Sequence, residues 1–273
     1  MNPFTFPLDL DEWSETRDTL QKYCRLVGAI RETLSKPLPH SLHTSLLICR
    51  KGFTTSLLPK SISSPEKTFE VIIDLLHTRL LIESSYREPE SIALTGQSLN
   101  ALCDETCSLL TDIGIQTPLD RPSFLDGTRG RFDTEPVKIY WETTTIVSKL
   151  LAAIKKELIG KTSPVQLRPD DLSLNLNWFG KEIKGADNIL TEQVEFGFST
   201  GDENISEAYF YITTFPEAEV LKEFYNPETY VRSKGNLKMA TLPLSKLIIN
   251  KSQKETIISF FKSIKPLFKY SKL

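Results

Sequence analysis

Histidine is nearly missing from this chain: His40, His43 and His77 are the only three in 273 residues. Any mechanism that needs an imidazole base or ligand must draw on that small set. Cysteine is scarce too. Cys24, Cys49, Cys103 and Cys107 include no Cys-x-x-Cys pair and are too scattered for a disulfide framework in a chain this long, so reduced thiols are expected. Cys103 and Cys107 stand four apart on an expected helix and are read as part of a core stripe rather than as a redox pair.

Long hydrophobic runs are absent. None exceeds five residues, Leu150–Ile154 being one, against the roughly 20 needed to span a bilayer. Met1–Asp11 carries Asp9 and Asp11 but no basic residue and no long apolar stretch, which argues against a signal peptide. A cytoplasmic protein is the expectation. An excess of one charge is also missing: 33 basic against 35 acidic residues leave a net charge of -2, so neither nucleic acid nor a membrane is expected as a partner. There is no Gly-x-Gly, no Walker loop, no Gly-x-Ser-x-Gly elbow and no His-Glu-x-x-His, so no nucleotide or other cofactor is expected.

What is present is ordinary globular material, 40% hydrophobic and 25% charged, long enough to bury a core. Trp13, Leu20, Tyr23, Cys24, Val27, Ile30 and Leu34 recur at helical steps and predict a helix over 11–35, ended by Pro37 and Pro39. Apolar runs then predict strands at 44–50, 53–58, 69–76, 79–83 and 91–94. Ser98 caps a helix that Gly114 closes. Pro136 opens a second long helix stopped by Gly160. Leu172, Leu174, Leu176 and Trp178 alternate with Asp171, Ser173, Asn175 and Asn177, the pattern of a strand with one buried and one wet face. Further strands are expected at 193–198 and 208–214. Ser252 and Glu255 form a capping box before a helix burying Ile257, Phe260, Phe261 and Ile264.

The expected class is therefore α+β, in two similar halves, each a long helix followed by a mostly antiparallel sheet and a closing helix. The first lobe takes 1–116, a Pro/Asp/Gly-punctuated connection 117–132 and the second lobe 133–273, packed as one compact unit. Glu32, Lys36 and Pro39 share the mutual spacing of Glu157, Lys161 and Pro164, an echo that would place a pocket between repeated lobes.

Candidate chemistry is sparse. His40-x-x-His43 has metal-ligand spacing, but the flanking prolines disfavour helix, and on a strand the two imidazoles would face opposite ways. Arg129-Gly130-Arg131 could cradle an anion with guanidinium and amide groups. His77 reads as a turn residue and Asp170-Asp171 as the turn before a strand. Ser271-Lys272-Leu273 matches a peroxisomal address if the source is eukaryotic.

Several short motifs together resemble an uncharacterised, mainly bacterial family, number five-nine-nine-six in the domain-of-unknown-function series. They include Thr16-Arg17-Asp18-Thr19-Leu20, Val27-Gly28, His40-x-x-His43, Gly52-Phe53-Thr54-Thr55-Ser56, Phe132-Asp133 with Trp141, Gly160-Lys161, Ser163-Pro164-Val165, Gly197-Phe198 and Phe215-Pro216-Glu217. The resemblance is nearly chain-long and implies a polar site. The family's pattern reads His-Trp-Trp-His where this chain has His40-Ser41-Leu42-His43. It has histidines at the places of Gln166, Arg129 and Thr191, the last just before Glu192. Leu167-Arg168-Pro169-Asp170 replaces an aromatic and glycine run. A metal or acid/base centre built on those imidazoles would not hold its ion with Gln, Arg and Thr in their places.

His40, His43, Arg129, Gln166 and Glu192 are accordingly the expected ligand-binding residues, with no metal. The leading expectation is a non-catalytic protein that binds a small anionic ligand, or a partner protein, at the junction of its lobes. The alternative is a metal-assisted hydrolase using His40, His43 and Glu192.

Overall fold

The computed structural model describes residues 10–61, 64–116, 119–184, 189–202, 205–216, 230–234, 237–248 and 253–263. Ser252, Ile264 and the terminal Ser271-Lys272-Leu273 lie outside them. In chain order the first elements are α1 (Leu10–Leu34), β1 (Leu46–Ile48), β2 (Gly52–Thr54), β3 (Leu58–Ser61), β4 (Ser64–Asp74), β5 (Arg79–Ser84), β6 (Glu90–Ala93), α2 (Leu99–Asp112) and α3 (Thr134–Glu157). Then come β7 (Lys161–Thr162), β8 (Gln166–Leu167), β9 (Leu174–Lys184), β10 (Ile189–Ser199), β11 (Tyr209–Phe215), β12 (Tyr230–Lys234), β13 (Leu237–Pro243), α4 (Leu244–Ile248) and α5 (Gln253–Lys262). The fold is α+β with antiparallel pairing. Among the described residues no helix is long and apolar enough to cross a membrane.

Two compact units divide the chain. One is Asp11–Trp141 with Gln166–Leu172, and the other is Met1–Leu10, Glu142–Val165 and Ser173–Leu273. The division falls inside α3 and is crossed again at 166–172, whereas the turn-rich 117–132 stretch suggested a boundary there. That stretch is tied into its own unit: the Gly130 amide donates to the Gly96 carbonyl at 3.0 Å, and residues 121–124 form a short 3-10 turn that buries Phe124.

In the first unit α1 runs as its periodicity predicts, because Trp13, Leu20, Tyr23, Cys24, Val27 and Ile30 all reach the core. Asp11 and Glu12 in its first turn and Arg31 in its last suit the helix dipole. Trp13 meets Tyr140 at 5.3 Å between ring centres, and Phe53 on β2 meets both Tyr140 and Trp141 at 6.1 Å. Such aromatic pairs add about 0.5–1.5 kcal/mol each beyond the area they bury. The sheet beside them has the strand order β8-β1-β2-β4-β5-β6, with β3 paired to β4.

The Ser98 hydroxyl accepts from the Ala101 amide at 3.3 Å and so starts α2, while Gly114, at φ 79, ends it with its amide on the Thr111 carbonyl. Ser98→Ala is expected to lower stability by about 1 kcal/mol, and Ser98→Gly by only a few tenths. A urea melt measures both; equal losses would show that the hydroxyl caps nothing.

In the second unit the strand order is β12-β13-β11-β10-β9, with β7 on the far side of β9. Here the alternation expected for 171–178 needs correction. The strand begins at Leu174, Leu172 has a left-handed backbone at φ 56, and Ser173 and Asn175 are buried beside Leu174 and Leu176. Polar side chains are tolerated inside because they are bonded. The Asn177 side-chain amide donates to Asn175 Oδ1 at 3.3 Å, and the Asn177 backbone amide donates to Ser163 Oγ at 2.9 Å. Trp178 is half-buried, its indole N–H spent on the Ile159 carbonyl at 2.8 Å. On α5, Ile257, Phe260 and Phe261 turn inward as expected, with Phe261 edge-on to Phe196 and Phe210.

Candidate functional site

One side of α1 is left free of the core. Arg25, Gly28, Ala29 and Glu32 follow one another at helical steps and line a cleft of about 220 Å³ within the first unit. Arg168, Pro169 and Asp170, just after β8, form its facing wall; Thr44 and the buried Phe124 complete it. Close approach of that wall depends on glycine, since a Cβ on Gly28 would stand 2.8 Å from Pro169 Cγ. The Gln21 side-chain amide also donates to the Asp170 carbonyl.

Each arginine of the cleft has a long ion pair. Arg25 Nε lies 3.6 Å from Asp170 Oδ1 and Arg168 Nη1 lies 3.5 Å from Asp171 Oδ2, and the Arg25 and Asp170 side chains are 51% and 80% exposed. Exposed ion pairs of this kind are worth about 0–1 kcal/mol.

His40-x-x-His43 lies on neither an α-helix nor a strand. Pro39–Thr44 is a 3-10 segment in which His40 and Ser41 take left-handed backbones at φ 58 and φ 54. His43 Nδ1 accepts from the Leu38 amide at 3.2 Å, and the Thr44 hydroxyl donates to the Ser41 carbonyl at 3.0 Å. An Nδ1 used as acceptor leaves the neutral ring's proton on Nε2. His43 is half-buried and His40 exposed.

Gln166 is buried, and its Oε1 has no hydrogen-bond partner among the described residues. It stands opposite Leu47, which in turn stands opposite Thr54, so the three share one face of the sheet, where Thr54 bonds the Glu70 carboxylate. The pairing of β1 with β8 thus lays the segment after His43 beside the segment of Gln166, and Thr44 and Arg168 of those segments both line the cleft.

Arg129 is exposed and close enough to Tyr23 to act on its phenol. Burial pushes that phenol up to about 12, with the Arg129 charge pulling the other way, and its hydroxyl donates to the Gln97 carbonyl at 2.8 Å. Glu192 belongs to the second unit, on β10, where it accepts from the Lys181 amide at 3.1 Å beside a register shift between Thr191 and Gln193. Among the described residues no three His, Cys, Asp or Glu side chains are grouped as a metal site requires.

Sequence reasoning assigned none of Arg25, Gly28, Thr44 and Arg168 to a site, although Val27-Gly28 is among the motifs of the family resemblance. The available signal was Gly28 in the middle of a long helix, where glycine costs about 1 kcal/mol relative to alanine and so points to a close approach.

An antiparallel α+β protein with an arginine-flanked cleft beside its first helix is the class these features define. No curated protein and no solved structure is similar enough to count as a match. The chain belongs to the Family of unknown function (DUF5996), whose model matches residues 6–265 of the 273.

Proposed function

We propose that the protein is a non-catalytic binding protein that takes a small anion into the cleft beside α1. The observation that carries this reading is the pair Arg25 and Arg168, two guanidinium groups on facing walls of the cleft. Thr44, next to His43, and Arg168, two residues after Gln166, line the same cleft. Size limits the ligand: about 220 Å³ is below the 300–1,000 Å³ typical of drug-sized pockets, which suits phosphate or a short carboxylic acid and not a nucleotide. A cytoplasmic setting fits this reading, with a peroxisomal one if the source is eukaryotic.

Thermal melts in inorganic phosphate or succinate, against chloride at matched ionic strength, test the proposal. A ligand at a hundredfold its Kd stabilises by about 2.7 kcal/mol, or about 5 °C for a domain of this size. Arg25→Ala and Arg168→Ala should each abolish that gain while moving the ligand-free melt little, since both side chains are partly exposed. The same gain in the double variant would remove the cleft from consideration.

A further inference from the structure

The first unit holds a cluster that the anion cleft does not use. On α2, Cys103 is fully buried and Cys107, one turn later, is half-buried and open to solvent on one side. Arg121, from the 3-10 turn at 121–124, lays one guanidinium nitrogen 3.1 Å from Cys103 Sγ and 3.6 Å from Cys107 Sγ, while its other nitrogen binds the Asp104 carboxylate. Two thiols on one helix face, bridged by a fixed cation, differ from the inert core stripe expected from the sequence. A core stripe needs no guanidinium.

We propose that Cys103, Cys107 and Arg121 form a peroxide-reactive dithiol, in which Cys107 attacks a hydroperoxide and Cys103 then closes a disulfide with it.

Geometry assigns the roles. A thiolate attacks and a thiol does not, so the charge must rest where water and a cation can hold it. Cys107 has both. Its thiol is drawn down to about 6, first by the hydrogen bond it shares with Cys103 and then by the Arg121 charge, with burial and the Asp104 carboxylate opposing. Cys103 is pushed the other way, chiefly by holding that shared proton and by burial, and so remains the protonated partner. In the first step the Cys107 sulfur bonds the distal peroxide oxygen and the O–O bond breaks. The departing oxygen leaves with both electrons of that bond and takes a proton from water, giving an alcohol, or water from hydrogen peroxide. In the second step Cys103 gives up its proton, its sulfur bonds the sulfenic sulfur of Cys107, and the S–O bond breaks to release hydroxide, which is protonated to water. Two thiols lose two electrons in all and the peroxide gains them.

Closure must disturb the helix. Cβ atoms four apart on an α-helix lie about 5–6 Å apart, whereas a disulfide needs about 3.5–4.5 Å. The turn between residues 103 and 107 therefore has to loosen, and Arg121 loses the thiolate that held it. A disulfide formed against such resistance is easily reduced, so the change is reversible by a dithiol reductant.

The test has two readings on the native protein. The first is the pH profile of Cys107 alkylation by iodoacetamide, resolved by peptide mass, whose midpoint should lie near 6. At that pH an ordinary thiol near 8.5 is almost wholly protonated, and after allowing for the lower nucleophilicity of a weaker base the advantage is still about tenfold over glutathione. The second is treatment with hydrogen peroxide at a slight excess. It should yield a peptide carrying Cys103 and Cys107 that is two hydrogens lighter and resists alkylation, with Cys24 and Cys49 still free. Arg121→Gln should move the midpoint upward. Cys103→Ala should stop the reaction at the sulfenic acid, trapped by a 1,3-diketone. A midpoint above 8, or no internal disulfide after peroxide, would overturn the proposal, and neither reading depends on a variant folding.

Discussion

Gly96→Ala is expected to destabilise the protein by about 4 kcal/mol, two penalties acting at once. Gly96 has φ 83, a left-handed backbone that costs an L side chain about 1–2 kcal/mol. A Cβ built there would also lie 2.2 Å from the carbonyl oxygen of Gly130, which belongs to the main chain and cannot rotate away. Relieving that overlap means breaking the Gly130-to-Gly96 hydrogen bond and pushing out the 128–132 segment with Arg129. Overpacking of this kind adds about 1–3 kcal/mol. Gly127→Ala is the control, because nothing lies within 4 Å of its Cβ position. Denaturant melts of the two variants should differ by most of the predicted loss; similar midpoints would mean that the turn at Gly96 yields easily.

Asp74→Ala is expected to cost about 3 kcal/mol, because the carboxylate is fully buried and is bonded by four donor groups. The amides of Leu76 and His77 donate to its Oδ1 at 3.1 Å, and Arg79 Nε and His77 Nδ1 to its Oδ2 at 3.1 and 2.9 Å. Burial alone would raise its pKa, but the bonds from His77 and Arg79 outweigh it and hold the carboxyl below the ordinary value. A depressed carboxyl contributes stability that is complete above the unfolded value, about pH 4, and lost as pH falls through the folded one. Asp74→Asn should therefore remove part of the native protein's loss of stability below about pH 4. An acid limb identical in the two proteins would contradict the assignment.

The long elements were legible because their signals were local. The stripe from Trp13 to Ile30, the Ser98 cap and the Gly114 stop each specify their helix without help from distant residues. The apolar runs at 69–76 and 79–83 likewise emerged as β4 and β5. What stayed hidden was set by partners far along the chain. Asn175 reads as a wet position until Asn177 satisfies it, and Leu172 reads as strand until the backbone turns left-handed there. The residues that line the cleft suffered most. Arg25 is unremarkable in sequence, Arg168 stands out only within a run that departs from the family's pattern, and the approach of Pro169 to Gly28 brings them to one place. The histidine pair drew attention by its spacing, yet spacing implies a shared face only in a regular element, and 39–44 is not one.

The most direct test of anion binding beside α1 is a titration of ¹⁵N-labelled protein with inorganic phosphate at constant ionic strength, followed by amide chemical shifts. Gly28, Ala29, Thr44 and Asp170 should move together along one saturating curve, and these shifts should vanish in the Arg25→Ala/Arg168→Ala variant. Shifts that rise linearly without saturation, or that gather on other surfaces while those four amides stay fixed, would contradict it.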